Sequence, residues 1–360
     1  MFKQFGSIYL ILGTCIAAGM LGLPVVTASF HFGLTCIMLM SSWALMTVGA
    51  WCLLQVNMTM PSGANFISMS EATLGKIAKY ITWFVYLMLL YSLICAYLAA
   101  SGDLLQALCH HLHWMIPRFV ATLLAALILG SIVYQGIRSV DMTNRFLMST
   151  KFIICLLLIF SVIPFVHLHN LSPGQWHLNG AAWLVVITSF GYGNILPSIR
   201  DYLDNDRKKL TRVFFISSII PPILYFVWIL VIQGSLQRFG VDGLVAMNNS
   251  AHTNSMLMTA MATLTHVDAI KSISVVFISI CSVTGFLSVS TSLMDVLTDG
   301  LSAGKAGTQR LGIAALAFLP PALIVIFDPT IFIHALAYAG LCCLYMLVAL
   351  PIAMYVKQKV

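Results

Sequence analysis

Apolar residues in this chain arrive in runs of roughly 20, separated by short polar segments, and that is the length a helix needs to cross a hydrocarbon layer about 30 Å thick. The runs fall at about Ile8–Phe30, Leu34–Val56, Ala78–Leu105, Phe119–Tyr134, Phe146–Val166, Ala181–Ile199, Val213–Gln233, Ser272–Val296, Leu311–Phe327 and Ile331–Val356. They predict an all-α integral membrane protein of ten spans. The first run follows a single basic residue, Lys3, and exceeds the length of a signal-peptide core, so it is expected to be retained as a span.

Two runs are interrupted in a way that an ordinary span is not. The first reads Gly13-Thr14-Cys15-Ile16-Ala17-Ala18-Gly19-Met20-Leu21-Gly22-Leu23-Pro24, and the sixth reads Thr188-Ser189-Phe190-Gly191-Tyr192-Gly193-Asn194-Ile195-Leu196-Pro197-Ser198. Their places, first and sixth of ten, predict two five-helix repeats of opposite topology, residues 6–166 and 181–356, inside one transmembrane domain spanning 1–360. Packing offers a plainer account: Gly13, Gly19 and Gly22 let neighbouring helices approach closely. A pair of interruptions at matching positions favours the first account.

Where a helix is interrupted, free N–H groups at the start of its second half attract a carboxylate, and free C=O groups attract an ammonium or a small cation. Such backbone is tolerated at membrane depth only where it lines a cavity or is buried in protein. A zwitterionic amino acid fits both ends, with its carboxylate at N–H groups around Ala17, Ala18 and Gly19 and its ammonium at C=O groups around Ser189 and Phe190. No fully charged side chain is then needed at the midplane, where charge is costly.

Composition sharpens this picture. Apolar residues make up 60% of the chain and charged ones 8%, against about 25% charged in soluble domains, which excludes a soluble protein. The net charge of +7 comes from 18 basic and 11 acidic residues, and its placement marks topology and not a nucleic-acid surface. All of the 18 except Arg118, Arg238 and Lys271 fall on segments facing one side, which the positive-inside rule makes cytoplasmic, with both termini there. Histidines gather at the opposite ends of the spans without metal-ligand spacing. The nine cysteines lie mostly inside the runs with no CxxC and read as small apolar side chains.

At the interrupted segments the sequence resembles the hydroxy/aromatic amino acid permeases. The likeness covers GTCIAAGMLGLP, LYSLICAYLAASGDLL (Leu90–Leu105), VDMTNRFLMSTK (Val140–Lys151), TSFGYGNILPSI (Thr188–Ile199), YLDNDRKKL with VFFISSIIPP (Val213–Pro222), FLPP (Phe318–Pro321) and ALAYAGL (Ala335–Leu341). The resemblance implies a transporter of the amino acid/polyamine/organocation type with the five-plus-five inverted repeat and discontinuous helices one and six. It implies import of an aromatic amino acid, tyrosine first, across a bacterial inner membrane. No cofactor is implied beyond a coupling ion, a proton first and sodium as the alternative. Tryptophan and serine-type substrates are the alternative cargo. Many members have glycine where Ala17 stands, a histidine where Gly193 stands, and an eleventh helix.

Individual residues follow from that resemblance. Lys151 matches a lysine of sodium-independent relatives whose ammonium stands where another branch holds sodium, between spans one, five and eight; the plainer reading is a lysine reaching for the interface. Thr284 is the first candidate ligand if sodium is the coupling ion, although hydroxyls within spans usually bond their own helix. Tyr97, Phe190, Tyr192 and Tyr338, with Tyr91 beside them, are candidates for an aromatic side-chain pocket; rings are also ordinary packing material. The charged loops Arg138–Arg145 and Asp204–Lys209 are expected to set topology or form gating ion pairs. The long loop Ser235–Asp268 is expected either to cap the outer vestibule with short helices or to be disordered. An intramembrane aspartyl protease would need paired carboxylates, and Gly191-Tyr192-Gly193-Asn194 supplies none. A channel would need a filter motif that is not evident. The remaining expected partners are the substrate and the lipid bilayer.

Overall fold

Helices form where the apolar runs lie, and glycines, prolines and capping side chains decide where each stops. A computed structural model describes residues 2–135, 137–248, 250–265, 268–301 and 307–359. Its helices, in chain order, are α1 (Phe2–Cys15), α2 (Ala18–Val26), α3 (Phe32–Thr59), α4 (Phe66–Leu74), α5 (Lys76–His111), α6 (Arg118–Gln135), α7 (Ile137–Val162), α8 (Gly180–Ser189), α9 (Leu196–Tyr202), α10 (Arg207–Ser235), α11 (Leu244–Met247), α12 (Thr253–Thr265), α13 (Asp268–Gly300), α14 (Gly307–Phe327), α15 (Ile331–Leu344) and α16 (Leu350–Lys359). Among the described residues nine helices are long and apolar enough to cross a membrane, and the bent pair α1–α2 brings the number to ten. Every predicted run coincides with one of them. Large apolar side chains such as Ile77, Phe84, Leu127, Phe160, Ile223 and Phe327 stay exposed on the outside of the bundle, an apolar surface too extensive for water and suited to lipid.

Capping side chains fix several helix starts. Asn65 and Ser68 form a reciprocal capping box at α4, Asn179 Oδ1 accepts from Ala181 N at α8, and Asp206 Oδ1 accepts from Lys209 N at α10. The α4 helix lies in a segment that the apolar runs leave as a loop. Nine residues are too few to register as a span, yet Phe66, Met69 and Ser70 are buried. Gly75 ends α4 at φ +93° and starts α5 directly, a left-handed turn that a side chain would strain.

Two helices contain adjacent prolines, Pro221-Pro222 in α10 and Pro320-Pro321 in α14. Each proline lacks the N–H that would bond four residues back, so Pro222 frees the Ser218 carbonyl and Pro320 the Leu316 carbonyl. Neighbouring side chains fill both places: Trp43 Nε1 donates to Ser218 O at 2.7 Å, and Tyr91 Oη donates to Leu316 O at 2.8 Å. Tyr91 therefore braces α14. A third irregularity is the π-helical stretch Tyr345–Ala349 just ahead of Pro351, which breaks the predicted tenth run into α15 and α16.

Both chain ends lie on one face. Lys3 pairs with Asp204 at 2.6 Å, Ser62 donates to Asp201, and Gln358 donates to Thr59. Arg238 and Trp176 belong to the opposite face. Side chains of residues 2, 18, 111, 137–146, 268, 269, 271, 299 and 307 are outside the described set; the backbone of 137–146 is the start of α7, so the segment of Arg138, Asp141 and Arg145 is helical and not the loop its charges predict.

Glycine brings backbone against backbone where helices cross. A Cβ at Gly49 would stand 1.8 Å from the Leu347 carbonyl oxygen, and one at Gly340 2.1 Å from the Leu184 carbonyl oxygen. Neither oxygen belongs to a side chain that could swing aside. Gly49→Ala is expected to destabilise the protein by about 1–3 kcal/mol, the range for overpacking, read as a lowered thermal midpoint in detergent; an unchanged midpoint refutes the contact.

Candidate functional site

The two interrupted helices meet at their breaks. In the first, α1 ends at Cys15, Ala17 is extended at φ −142° and ψ −165°, and the axis turns by 45° into α2. In the second, α8 ends at Ser189, Phe190 takes φ −95° and ψ 24°, and a 3₁₀ turn over Gly191–Ile195 leads into α9. The glycines of the first motif are not what opens the chain. None of Gly13, Gly19 and Gly22 has positive φ, and the break falls at Ala17, whose extended geometry any residue adopts. Gly13 and Gly19 serve close approach instead: a Cβ on Gly13 would strike Met148, and one on Gly19 would lie 2.8 Å from Ser189 Oγ and 3.0 Å from Ser189 Cα. The close-approach reading of the motif thus holds for Gly13 and Gly19, and the helix is interrupted at a neighbouring residue.

Backbone groups at the breaks point into the contact. The first N–H groups of α2 have no helical acceptor, and Ala17 offers no side-chain cap. Ala17's own N–H turns back to Cys15 O at 3.0 Å, so the free donors are those of Ala18, Gly19 and the residue after. On the other helix, Ser189 is the residue packed against Gly19, and its carbonyl accepts from Tyr225 at 2.6 Å.

Lys151 lies on α7 with its ammonium inside the bundle, 1% exposed. Nζ donates to Gly13 O on α1 at 2.8 Å and to Thr284 Oγ1 on α13 at 3.2 Å. Thr284 in turn donates to Ile280 O of its own helix at 2.8 Å. The structure thus brings Lys151 and Thr284 together across spans one, five and eight, and among the described residues both partners of the ammonium are uncharged. Ser288 and Thr291 bond their own helix.

Three of the four predicted pocket aromatics are buried near the breaks. Phe190 is fully buried, Tyr192 donates to or accepts from Thr47 Oγ1 at 2.7 Å, and the Tyr97 ring lies over Gly285, where a Cβ would come within 2.2 Å of it. Tyr338 does not join them. Its ring is 61% exposed, because Ala335, Leu336, Ala339 and Gly340 form the inward face of α15 and position 338 falls on the other side.

Sequence reasoning missed Tyr225, on α10. It is fully buried, with its hydroxyl 2.8 Å from Cys15 O and 2.6 Å from Ser189 O and its ring edge-on to Phe190 at 5.0 Å. The signal was present: a tyrosine three residues past a proline pair, carrying a polar handle into an apolar run.

Each end of the site is bolted. On the face of the termini, Arg200, 6% exposed, donates to Met60 O at 2.9 Å, to Asn205 Oδ1 at 2.7 Å and to Asn57 O, joining α9 to α3. On the opposite face, Arg238 donates to Ala28 O and Asn170 O at 2.7 and 3.0 Å and to Phe30 O. Gln233 donates to Pro24 O at 3.0 Å and Thr27 Oγ1 at 2.8 Å. The loop after α10 is helical in part, and Asp103, buried on α5, holds the start of α12 through Ser255 N and Oγ at 3.0 and 2.7 Å and His252 Nδ1 at 3.0 Å. An apolar groove between α5, α6 and α13, lined by Leu104, Leu129 and Val283 among others, takes no residue from either broken helix.

Comparison with known proteins places this geometry in context. The family model described as "Tryptophan/tyrosine permease family" matches residues 2–360. The chain is 32% identical to tyrosine-specific transport system 1 of Haemophilus influenzae, covering all of this chain and 89% of that one. It is 26% identical to a tryptophan-specific transport protein of Pseudomonas aeruginosa, over 97% of this chain and 85% of the other. Among solved structures, the Eremococcus coleocola manganese transporter in complex with an aromatic bis-isothiourea substituted compound superposes with a TM-score of 0.62 at 14% identity, covering 96% of this chain and 76% of that one. That likeness is one of fold.

Arg238 makes charge-assisted bonds to backbone carbonyls from two segments, each kind worth about 1.5–3 kcal/mol. Arg238→Ala is expected to lower stability by at least about 2 kcal/mol, measured as unfolding in detergent; a loss of a few tenths means that the clamp contributes nothing.

Proposed function

Because the chain belongs to the tryptophan/tyrosine permease family, we propose that it is a secondary transporter carrying an aromatic amino acid, tyrosine first, into the cell by proton symport with alternating access. The chain is a multi-pass membrane protein of a transport family and not an enzyme. Tyrosine comes first because a tyrosine-specific transport system is more similar to it than the tryptophan-specific one described above. The inner membrane is the proposed location, with both termini cytoplasmic: their shared face carries the basic segments.

The observation that carries the reading is the meeting of two backbone breaks at one point, with N–H groups of α2 on one side and the Ser189 carbonyl on the other. The substrate carboxylate lies against the N–H groups of Ala18 and Gly19, next to Ala17, where α2 presents its positive dipole end. Its ammonium takes the carbonyls of Ser189 and Phe190. Tyr97, Phe190 and Tyr192 enclose the ring, and a buried hydroxyl there would favour substrates that can bond it. The residue ranges 6–166 and 181–356 act as the two inverted repeats, whose relative rocking exposes the site to each side in turn. The Arg200 and Arg238 clamps part alternately as it does so.

Lys151 takes the coupling role. Its two acceptors sit on helices that must move apart for the site to open, so a change in its protonation is felt by both. Protonated, it ties α1 to α13; deprotonated, it donates more weakly to both and releases them. The position it fills, between a backbone carbonyl and a threonine hydroxyl, is one that a sodium ion would otherwise find, which supports the proton over sodium.

Proteoliposomes loaded with this protein are expected to accumulate labelled tyrosine under an inward proton gradient, and not under a sodium gradient alone, with other aromatic amino acids competing. Failure of every amino acid to accumulate under either gradient would falsify the reading. Lys151→Ala is expected to reduce proton-driven accumulation by about tenfold or more, equivalent to at least about 1.4 kcal/mol of coupling, with exchange of internal for external tyrosine retained. Accumulation at the wild-type rate removes Lys151 from the mechanism.

A further inference from the structure

The Tyr225 hydroxyl lies within hydrogen-bond distance of two carbonyl oxygens, Cys15 O at 2.8 Å and Ser189 O at 2.6 Å. These carbonyls end α1 and α8, the halves that lead into each break. A phenol has one proton and donates it to one acceptor at a time. Cys15 O also accepts from Ala17 N at 3.0 Å, so the phenol's proton goes to Ser189 O, the shorter contact, and each carbonyl is left with one neutral donor. An ammonium has three donors and a full charge, so it can satisfy both carbonyls together, with charge-assisted bonds.

We propose that Tyr225 is a built-in stand-in for a cationic group: its hydroxyl latches the two breaks together, and the substrate's ammonium displaces it. The proposal rests on the amine position argued above and assigns span seven a part in it.

The helix that carries the latch is made to bend. Pro221 and Pro222 lie one turn before Tyr225 and remove two bonds from the ladder there. The carbonyl freed by Pro222 is held from outside by Trp43, so the helix on either side of the pair is joined by fewer bonds of its own than a regular one. A modest bend at that point withdraws the hydroxyl while the rest of α10 keeps its contacts. Withdrawal also loosens the edge-on contact with Phe190, a residue of the side-chain chamber, so arrival of the ammonium and reshaping of the chamber are mechanically linked.

Tyr225→Phe keeps the ring against Phe190 and deletes only the hydroxyl. The substrate then no longer competes with a bound donor, and KM for tyrosine is expected to fall about three- to tenfold, the worth of one net hydrogen bond. Maximal net uptake is expected to fall too, because the empty site has lost its latch. Tyr225→Met, which also lacks a donor, must shift KM in the same direction. Competition by 3-(4-hydroxyphenyl)propionate, which is tyrosine without its amine, should gain nothing from either variant, a distinction that a purely structural role for Tyr225 does not produce. Each assay is run with and without sodium: a KM gain independent of sodium identifies the displacing cation as the ammonium, and a gain seen only with sodium identifies it as the ion and overturns the proposal. An unchanged KM in both variants, or a raised KM with exchange lost in proportion, overturns it. If the wild type beside them accumulates no amino acid, the transport reading falls and takes the latch with it; a working wild type beside a variant of unchanged KM sinks the latch alone.

Discussion

A backbone carbonyl that loses its helical donor inside a hydrocarbon layer has no water to turn to, and an orphaned group there costs several kcal/mol. Much of this protein's interior is an answer to that constraint. Each proline pair and each break frees a carbonyl, and a side chain from another helix reaches it: Trp43 to Ser218, Tyr91 to Leu316, Tyr225 to Cys15 and Ser189, Lys151 to Gly13. The donors are large residues that span the gap between helices. The irregular backbone and the tertiary contacts are therefore one system, and the broken helices stand only because their neighbours complete them.

The two kinds of donor differ in what they permit. Indole and phenol are neutral, and their bonds to backbone are made and released without moving charge. Lys151, Arg200 and Arg238 are cations held almost wholly inside the protein, and a buried cation left without acceptors is far more costly than a neutral donor. All three are met by backbone carbonyls, with hydroxyl or amide oxygens beside some of them. This arrangement avoids the fixed pairing of a carboxylate, which would tie each cation to one geometry and oppose the movement that transport requires.

How much of this was legible in the chain depends on where the information lies. Spans are dictated by the solvent, so apolar length alone located them, and charge outside the spans is what the proposed direction rests on. The breaks were legible because glycines and a proline crowd the same stretch of two runs, although the first chain break falls at Ala17 and not at a glycine. What those glycines do was not: Gly13 and Gly19 accept a neighbour's side chain and backbone, a fact about Met148 and Ser189 that lies far off in sequence. Lys151 stood out as a lone cation in an apolar run, and the structure gives it the two helices that its resemblance implied. Tyr338 matched a motif, yet one-dimensional likeness cannot say which face of a helix turns inward. Tyr225 was passed over for the opposite reason: the proline pair beside it marks an irregular helix, but the two carbonyls it reaches lie on other helices far off in sequence. The α4 helix, too short to cross anything, lies below what a search for spans can register.

The bond from Trp43 to the Ser218 carbonyl ties the history of two distant positions together. Any residue other than proline at 222 returns an N–H to the ladder, and the Ser218 carbonyl, with two lone pairs, then has a donor from within α10 and no longer depends on the indole. Loss of the indole while the proline remains leaves that carbonyl stranded. The dependence runs one way: among descendants of this sequence, replacement of Pro222 is expected to precede replacement of Trp43, an order of events written by a single hydrogen bond.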